Sequence, residues 1–480
     1  MKEMNKITIP AWIATQTYKA NTPESKTIIS NNKRHKTILL EEMASDLYHF
    51  LVLSETTDEN ALKNYAKEHH LEGEIDAFII QLHELGLLAF DTDEQDDNFV
   101  SEPMNYNQDN DKKAKGAIED RLSKWAFENG FLWSVFMELT YKCNCRCIHC
   151  YNPMNRGTTE ISFEKAKEII DDAVALGCFE LTLSGGECTL DSDFMKILEY
   201  ARSKRLNVLI FTNGISLAEH PETLKKIISL YPYQVGVSIY SSDKKLHEKV
   251  TTIKDSWDKS ISVLDTLKKY GVNSQVKSVQ LTETVSTWQS TIELAKKYDT
   301  AAAFDVTLTP TIEKDKKTWK HFLNDEQLTE LFSNPNSPMY VGGWTEPPPI
   351  DVKRDGPCYA GSHTLCINPN LNVVGCVSLP IVFGNLGKER LKDIWQKGQK
   401  DTTSVLYKWQ HVLLAEWKDC FKEEYCRFCH FCPGMGMLED KLYAKSELLC
   451  KLAKMKMEIF YKLKDKKTEV PYQNGTCFMK

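Results

Sequence analysis

A chain of 480 residues with 42% hydrophobic content is long enough for two or three domains with cores of their own, which excludes a wholly disordered protein. Its formal net charge of -7 argues against a nucleic-acid binder, because neutralising phosphates takes a concentrated basic surface. No apolar run is long enough to span a bilayer, and residues 1–17 lack the basic, apolar and small-residue succession of a signal peptide, so no membrane partner and a cytoplasmic location are expected.

Polar–apolar alternation over residues 14–18, 26–30 and 37–40 predicts short strands. Helical patterns follow over 41–53, 58–70 and 75–85, and Leu85-Gly86-Leu87-Leu88 reads as a helix stop leading into a final strand. Strands plus three helices make residues 1–90 a winged helix-turn-helix-like α+β unit. Such units most often bind DNA, yet this one carries nine Lys and Arg against thirteen Asp and Glu, the wrong balance for phosphates. Over residues 91–111, eight side chains are acidic and none is Lys or Arg, which predicts a solvated acidic linker, carried to residue 120. Apolar, β-rich runs at 134–139, 179–184, 207–212, 234–239, 274–280 and 304–309 then alternate with amphipathic helical stretches. Six such strands predict an α/β fold, a partial (β/α)6 TIM-like barrel of parallel strands within residues 121–345. A Pro-, Gly- and Asn-rich stretch at 334–357 marks the boundary to a cysteine-rich region, residues 346–480.

Fifteen cysteines without an export signal point to metal or iron–sulfur ligation rather than disulfides. Cys143, Cys147 and Cys150 follow the first barrel strand with C-x3-C-x2-C spacing, at the strand's carboxyl end, where barrel enzymes place their chemistry. Three thiolates on a four-iron cubane leave one iron open to chelate the amino and carboxylate groups of S-adenosylmethionine (SAM). Cys145 falls out of this register. A structural zinc loop is the alternative on these cysteines alone. One β/α unit later comes Ser184-Gly185-Gly186-Glu187, two glycines that let backbone approach a ligand and a carboxylate suited to an ammonium.

The triad and the Gly-Gly-Glu run together resemble the radical SAM superfamily over residues 131–310. The resemblance implies that Ser184, Gly185, Gly186 and Glu187 bind the methionine moiety, that Ser238 touches the ribose, and that Thr212 and Asn213 close the third strand beside the cofactor. Cys188 departs from the proline usual after Gly-Gly-Glu and is either a small buried residue or a reactive thiol. Further on, Cys358, Cys366, Cys376, Cys420, Cys426, Cys429, Cys432 and Cys450 supply the eight thiolates that two further 4Fe-4S clusters need, with zinc sites the alternative. Their arrangement resembles the SPASM extension of peptide-modifying radical SAM enzymes, with Leu371 where that hairpin usually has glycine. One cluster would take Cys358, Cys366, Cys376 and either Cys420 or Cys432, and the other the rest. The N-terminal unit resembles a RiPP recognition element, a leader-peptide binder that adds the leader to a sheet edge beside its third helix.

Together the resemblances imply three 4Fe-4S clusters, SAM, an electron donor such as flavodoxin or ferredoxin, and a precursor peptide bound through its leader. The expected activity is a peptide maturase forming a thioether or carbon–carbon cross-link. Peptide epimerisation or dehydrogenation of a protein or quinone precursor is the alternative within enzymes, and a zinc-binding regulatory protein the alternative outside them. No general base can be named from the sequence.

Overall fold

The computed structural model describes residues 6–54, 56–69, 75–93, 100–101, 109–152, 157–353 and 355–464. At the N-terminus, β1 (Lys6–Thr8) is followed by an antiparallel meander of β2 (Ile13–Tyr18), β3 (Lys26–Asn31) and β4 (Lys36–Glu41). Helices α1 (Glu42–Leu53), α2 (Glu59–Glu68) and α3 (Ile75–Glu84) come next, close to their predicted bounds. Asp58 starts α2 by accepting from the Ala61 N–H at 2.6 Å, which satisfies one of the free donors of its first turn. Two short strands, β5 (Thr56–Asp58) and β6 (Ala89–Phe90), flank β1 in a second antiparallel sheet. Ile7, Ile13, Ile29, Leu47, Tyr48, Leu51, Ile79 and Leu82 form the core between these layers.

The linker assignment to residue 120 is corrected. A helix, α4 (Asp109–Glu128), begins inside it, and packs Leu122 and Ala126 against Ala14, Tyr18 and Ile28 of the meander and against Trp133 and Phe179. Acidic and amide residues at its start suit a helix N-terminus but hide its periodicity. The rest of the expected linker, residues 94–99 and 102–108, lies outside the described residues.

The N-terminal unit is also bonded to the barrel. The guanidinium of Arg202, buried at 7% exposure, donates to the carbonyl of Ala11 at 2.8 Å as well as to those of Leu206 and Leu230 at 2.6 and 2.9 Å. Arg205 reaches Ile9 and Pro10, and the Asn32 amide donates to the Tyr231 carbonyl at 3.0 Å.

The central sheet begins with β7 (Ser134–Thr140), β8 (Glu180–Gly185), β9 (Asn207–Thr212), β10 (Gln234–Ser238), β11 (Ser274–Val279) and β12 (Ala301–Asp305), parallel and adjacent in chain order. Val135, Met137, Leu139, Leu181, Leu183, Val208, Ile210, Val235, Val237 and Val276 pack beneath the surrounding helices. By the two-residue repeat of a strand, Phe136, Glu138, Phe211, Gly236, Ser238 and Lys277 stand on the opposite face, toward the barrel interior. The sixth strand is corrected from 304–309 to Ala301–Asp305, paired from Gln275 opposite Ala301 to Val279 opposite Asp305. Its three alanines have little intrinsic strand preference, so pairing with β11 rather than composition decides its place.

Beyond the barrel, β13 (Thr364–Ile367), β14 (Asn372–Cys376) and β15 (Leu379–Asn385) continue the same sheet, with β13 parallel to β7 and Cys366 opposite Phe136. Leu371 in the β13–β14 turn has φ of 63°, the left-handed conformation that favours the glycine it replaces. The last helix, Glu447–Lys464, buries Leu448, Leu449, Leu452, Ile459 and Phe460 against Val285, Trp288, Leu328 and Phe332. Among the described residues no helix is long and apolar enough to cross a membrane.

Candidate functional site

The loop carrying Cys143, Cys147 and Cys150 is clasped by the end of β8. The Gly186 N–H donates to the Thr140 carbonyl and the Glu187 N–H to the Lys142 carbonyl, both at 2.8 Å. A Cβ on Gly185 would fall 2.5 Å from Thr140 O, and one on Gly186 would fall 2.4 Å from Lys142 O. The two glycines therefore bring β8 against the backbone of the cysteine loop itself, a closer approach than any side chain permits.

Glu187 is 2% exposed. Its Oε1 accepts from the hydroxyls of Thr189 and Thr212, each at 2.7 Å, and from the Thr189 N–H at 3.3 Å. Its Oε2 accepts from the Asn213 N–H at 2.6 Å. Burial raises its pKa against the lowering effect of these bonds. The carboxylate that suited a ligand's ammonium in the sequence thus binds the chain's own donors and ties β8 to β9. Asn213 extends the frame, its side-chain amide donating to Asn144 Oδ1 at 2.7 Å, within the cysteine loop. The loop's far side hangs from the helix at 244–251, where the Arg146 and Ile148 N–H groups donate to the Thr251 and Val250 carbonyls at 3.1 and 3.0 Å.

Cys143, Cys147 and Cys150 are half-buried on this loop, while Cys145 turns inward at 5% exposure. A hydrogen bond with Cys145 holds the Cys143 thiol below its ordinary pKa. Cys147 Sγ lies 4.0 Å from the Tyr240 hydroxyl. Ser238, two residues before Tyr240, ends β10 opposite Lys277. Cys188 is fully buried, its thiol donates to the Phe211 carbonyl at 3.3 Å, and burial pushes its pKa well up. Of the two roles open to it in the sequence, the small buried residue is the one the structure supports.

The eight later cysteines fall into two groups. Cys358 and Cys376 both lie in the field of Cys432, and Cys366 in that of Cys376. Cys420, Cys426, Cys429 and Cys450 act on one another instead. Burial raises the Cys376 and Cys429 thiols to about 12. Among the described residues no three cysteine sulfurs gather within 4.8 Å of one another. The three residues that do gather, Glu248, Asp255 and Asp258, are exposed or half-buried and share the ammonium of Lys244. Sequence reading did not single out Asn144, Tyr240 or Lys277. Asn144 acquires its place through a bond to the distant Asn213, and Lys277 its neighbours through the pairing of β10, β11 and β12, whereas Tyr240 stood two residues beyond Ser238.

A model of the Radical SAM superfamily matches residues 137–295, and one of SPASM, an iron-sulfur cluster-binding domain, matches residues 358–433. The chain is 24% identical over 290 residues to the AdoMet-dependent heme synthase of Methanosarcina barkeri, covering 55% of this chain and 82% of that one. It is 26% identical over 344 residues to the antilisterial bacteriocin subtilosin biosynthesis protein AlbA of Bacillus subtilis, covering 66% and 70%. The crystal structure of Streptococcus suis SuiB bound to precursor peptide SuiA shares the fold with a TM-score of 0.52 at 16% identity, over 93% of this chain and 100% of that one. SAM and a 4Fe-4S cluster go with the first domain, and iron–sulfur binding with the second. The chain thus carries a radical SAM domain followed by a SPASM domain, both contributing to one continuous sheet, and is an enzyme.

Proposed function

We propose that this enzyme matures a ribosomally made precursor peptide, binding the leader on its N-terminal unit and taking the core peptide into the barrel interior. The observation that carries the reading is an N-terminal α+β unit bonded directly to the barrel, whose β2–β3–β4 sheet has no strand beside β4 among the described residues. β2 spends its outer edge on the barrel, where the Thr15 N–H donates to the Arg205 carbonyl at 3.0 Å. β4 pairs only with β3 among the described residues, so its backbone is available for an added strand. The fold shared with SuiB and the relatedness to AlbA support a peptide as the substrate class.

In this reading Cys143, Cys147 and Cys150 hold the SAM-binding 4Fe-4S cluster, since they are half-buried and share one loop at the carboxyl end of β7 that backbone bonds hold in place. Ser184, Gly185, Gly186 and Ser238 line the SAM site, while Glu187, Thr212 and Asn213 keep the cysteine loop in place around it. When bound, cluster and SAM supply a 5'-deoxyadenosyl radical that takes a hydrogen atom from carbon. Cys358, Cys366, Cys376 and Cys432 hold a second cluster, and Cys420, Cys426, Cys429 and Cys450 a third. Both are fully ligated by protein and suited to passing electrons, with a flavodoxin or ferredoxin as the outside donor. The bond formed is a thioether or carbon–carbon cross-link, at a loss of two hydrogens. Anaerobic reaction of the reconstituted enzyme with a peptide encoded beside its gene, read by fragmentation mass spectrometry, tests this. A loss of two hydrogens within the core supports it, and a product of unchanged mass points to epimerisation.

A further inference from the structure

Lys277 stands on the interior face of β11, between Ser238 of β10 and Ala303 of β12. Its ammonium lies 3.4 Å from the centre of the Phe211 ring. Among the described residues no carboxylate comes within salt-bridge distance of it. Gly236 makes the room, because a Cβ there would fall 2.9 Å from both Lys277 Cδ and Phe211 Cδ1. Asp305 at the end of β12 is the charged group that acts on Lys277, while β10 and β9 bring Gly236, Ser238 and Phe211 alongside, none of which titrates near neutral pH. Burial outweighs the attraction of Asp305 and pushes the ammonium down to about 8. Free amine and ammonium therefore coexist at neutral pH.

A structural lysine commonly extends its charge to bulk water or pairs with a carboxylate, whereas Lys277 is half-buried, faces the barrel interior and has no carboxylate within salt-bridge distance among the described residues. A lysine kept close to neutrality inside a barrel has the properties of a proton carrier. We infer that Lys277 accepts the proton released when the peptide's carbon radical forms its new bond, an inference that rests on the maturase reading above. One C–H bond and one X–H bond of the peptide break and one C–X bond forms. That change releases a hydrogen atom, a proton and an electron. The hydrogen atom goes to the nucleoside fragment of SAM, the electron to an oxidised auxiliary iron–sulfur cluster, and the proton to the lone pair of Lys277, which returns it to solvent.

The test uses full-length enzyme reconstituted with iron, sulfide and SAM, and the synthetic peptide encoded beside its gene. Wild-type product formation rises with pH through about 8 and then levels. Lys277→Met and Lys277→Arg lose that rise, and product made per 5'-deoxyadenosine falls roughly a hundredfold. Iron content matching the wild type shows that the variants fold. Either variant keeping the wild-type yield and pH profile overturns the inference. So does a loss of SAM affinity of about tenfold, worth about 1.4 kcal/mol, in equilibrium dialysis, which would make Lys277 a holder of the SAM carboxylate. Pulse acetylation of Lys277 in the peptide-free enzyme gives an independent reading, half-maximal near pH 8 and contradictory if it lies at the ordinary lysine value of about 10.4. Wild-type enzyme that makes no 5'-deoxyadenosine contradicts the functional reading instead.

Discussion

The backbone N–H of Asn213 donates to Glu187 Oε2 at 2.6 Å, and the same residue's side chain reaches Asn144 in the cysteine loop. The ends of β8 and β9 and the loop after β7 are therefore one hydrogen-bonded unit. Glu187→Gln puts an amide donor where two carboxylate oxygens accept, and leaves a buried N–H or hydroxyl unpaired. A loss of about 2–3 kcal/mol in stability is expected, with iron lost from the SAM-binding cluster before the other two. Thermal melting and iron per chain check it; unchanged iron content would mean that the frame does not shape the loop.

Arg202 is one of the side chains that tie the N-terminal unit to the barrel. Arg202→Met keeps most of its apolar volume and strands the carbonyls of Ala11, Leu206 and Leu230. About 2–4 kcal/mol of stability should be lost, and backbone hydrogen exchange should quicken over residues 9–13. Exchange that stays slow there would show that the unit is held by other contacts.

Acid should weaken the fold through His247. It is 1% exposed, its Nδ1 accepts from the Tyr240 N–H at 3.3 Å, and burial pushes its pKa down to about 4. The folded value lies below the ordinary value of about 6.5, so the unfolded chain takes up its proton first. The contribution of neutral His247 is thus full above about pH 6.5 and is lost as pH falls toward about 4, on the order of 2 kcal/mol. Urea unfolding of His247→Gln beside the wild type checks the sign, since their difference should be smaller at pH 5 than at pH 7.

The grouping of the late cysteines predicts separable losses. Cys432→Ser and Cys450→Ser should each lose about four iron atoms per chain, with different electron paramagnetic resonance signals disappearing. The same signal vanishing in both would contradict two separate groups.

Much of this was legible in the residues. Five of the six barrel strands fall within a residue or two of their apolar, β-rich runs, and the three N-terminal helices sit where their apolar repeats stand. Ala301-Ala302-Ala303 misled because alanine carries no strand signal, and the strands Lys6–Thr8 and Thr56–Asp58 are too short to display alternation. Helix α4 was hidden by its charged start. That β13 to β15 extend the barrel sheet depends on pairing between residues more than two hundred apart, such as Cys366 with Phe136, which no local pattern records. The same holds at the site. Cysteine spacing pointed to ligands, but which cysteine joins which group, and the engagement of Glu187 by the chain's own donors, are properties of the folded neighbourhood.

Replacing Cys143, Cys147 and Cys150 together by alanine and assaying anaerobically for 5'-deoxyadenosine tests the account most directly. The wild type should carry about twelve iron atoms and cleave SAM, whereas the triple variant should keep about eight and produce none above background. A variant that still forms 5'-deoxyadenosine would contradict the account, because the electron would then reach SAM from somewhere other than this loop.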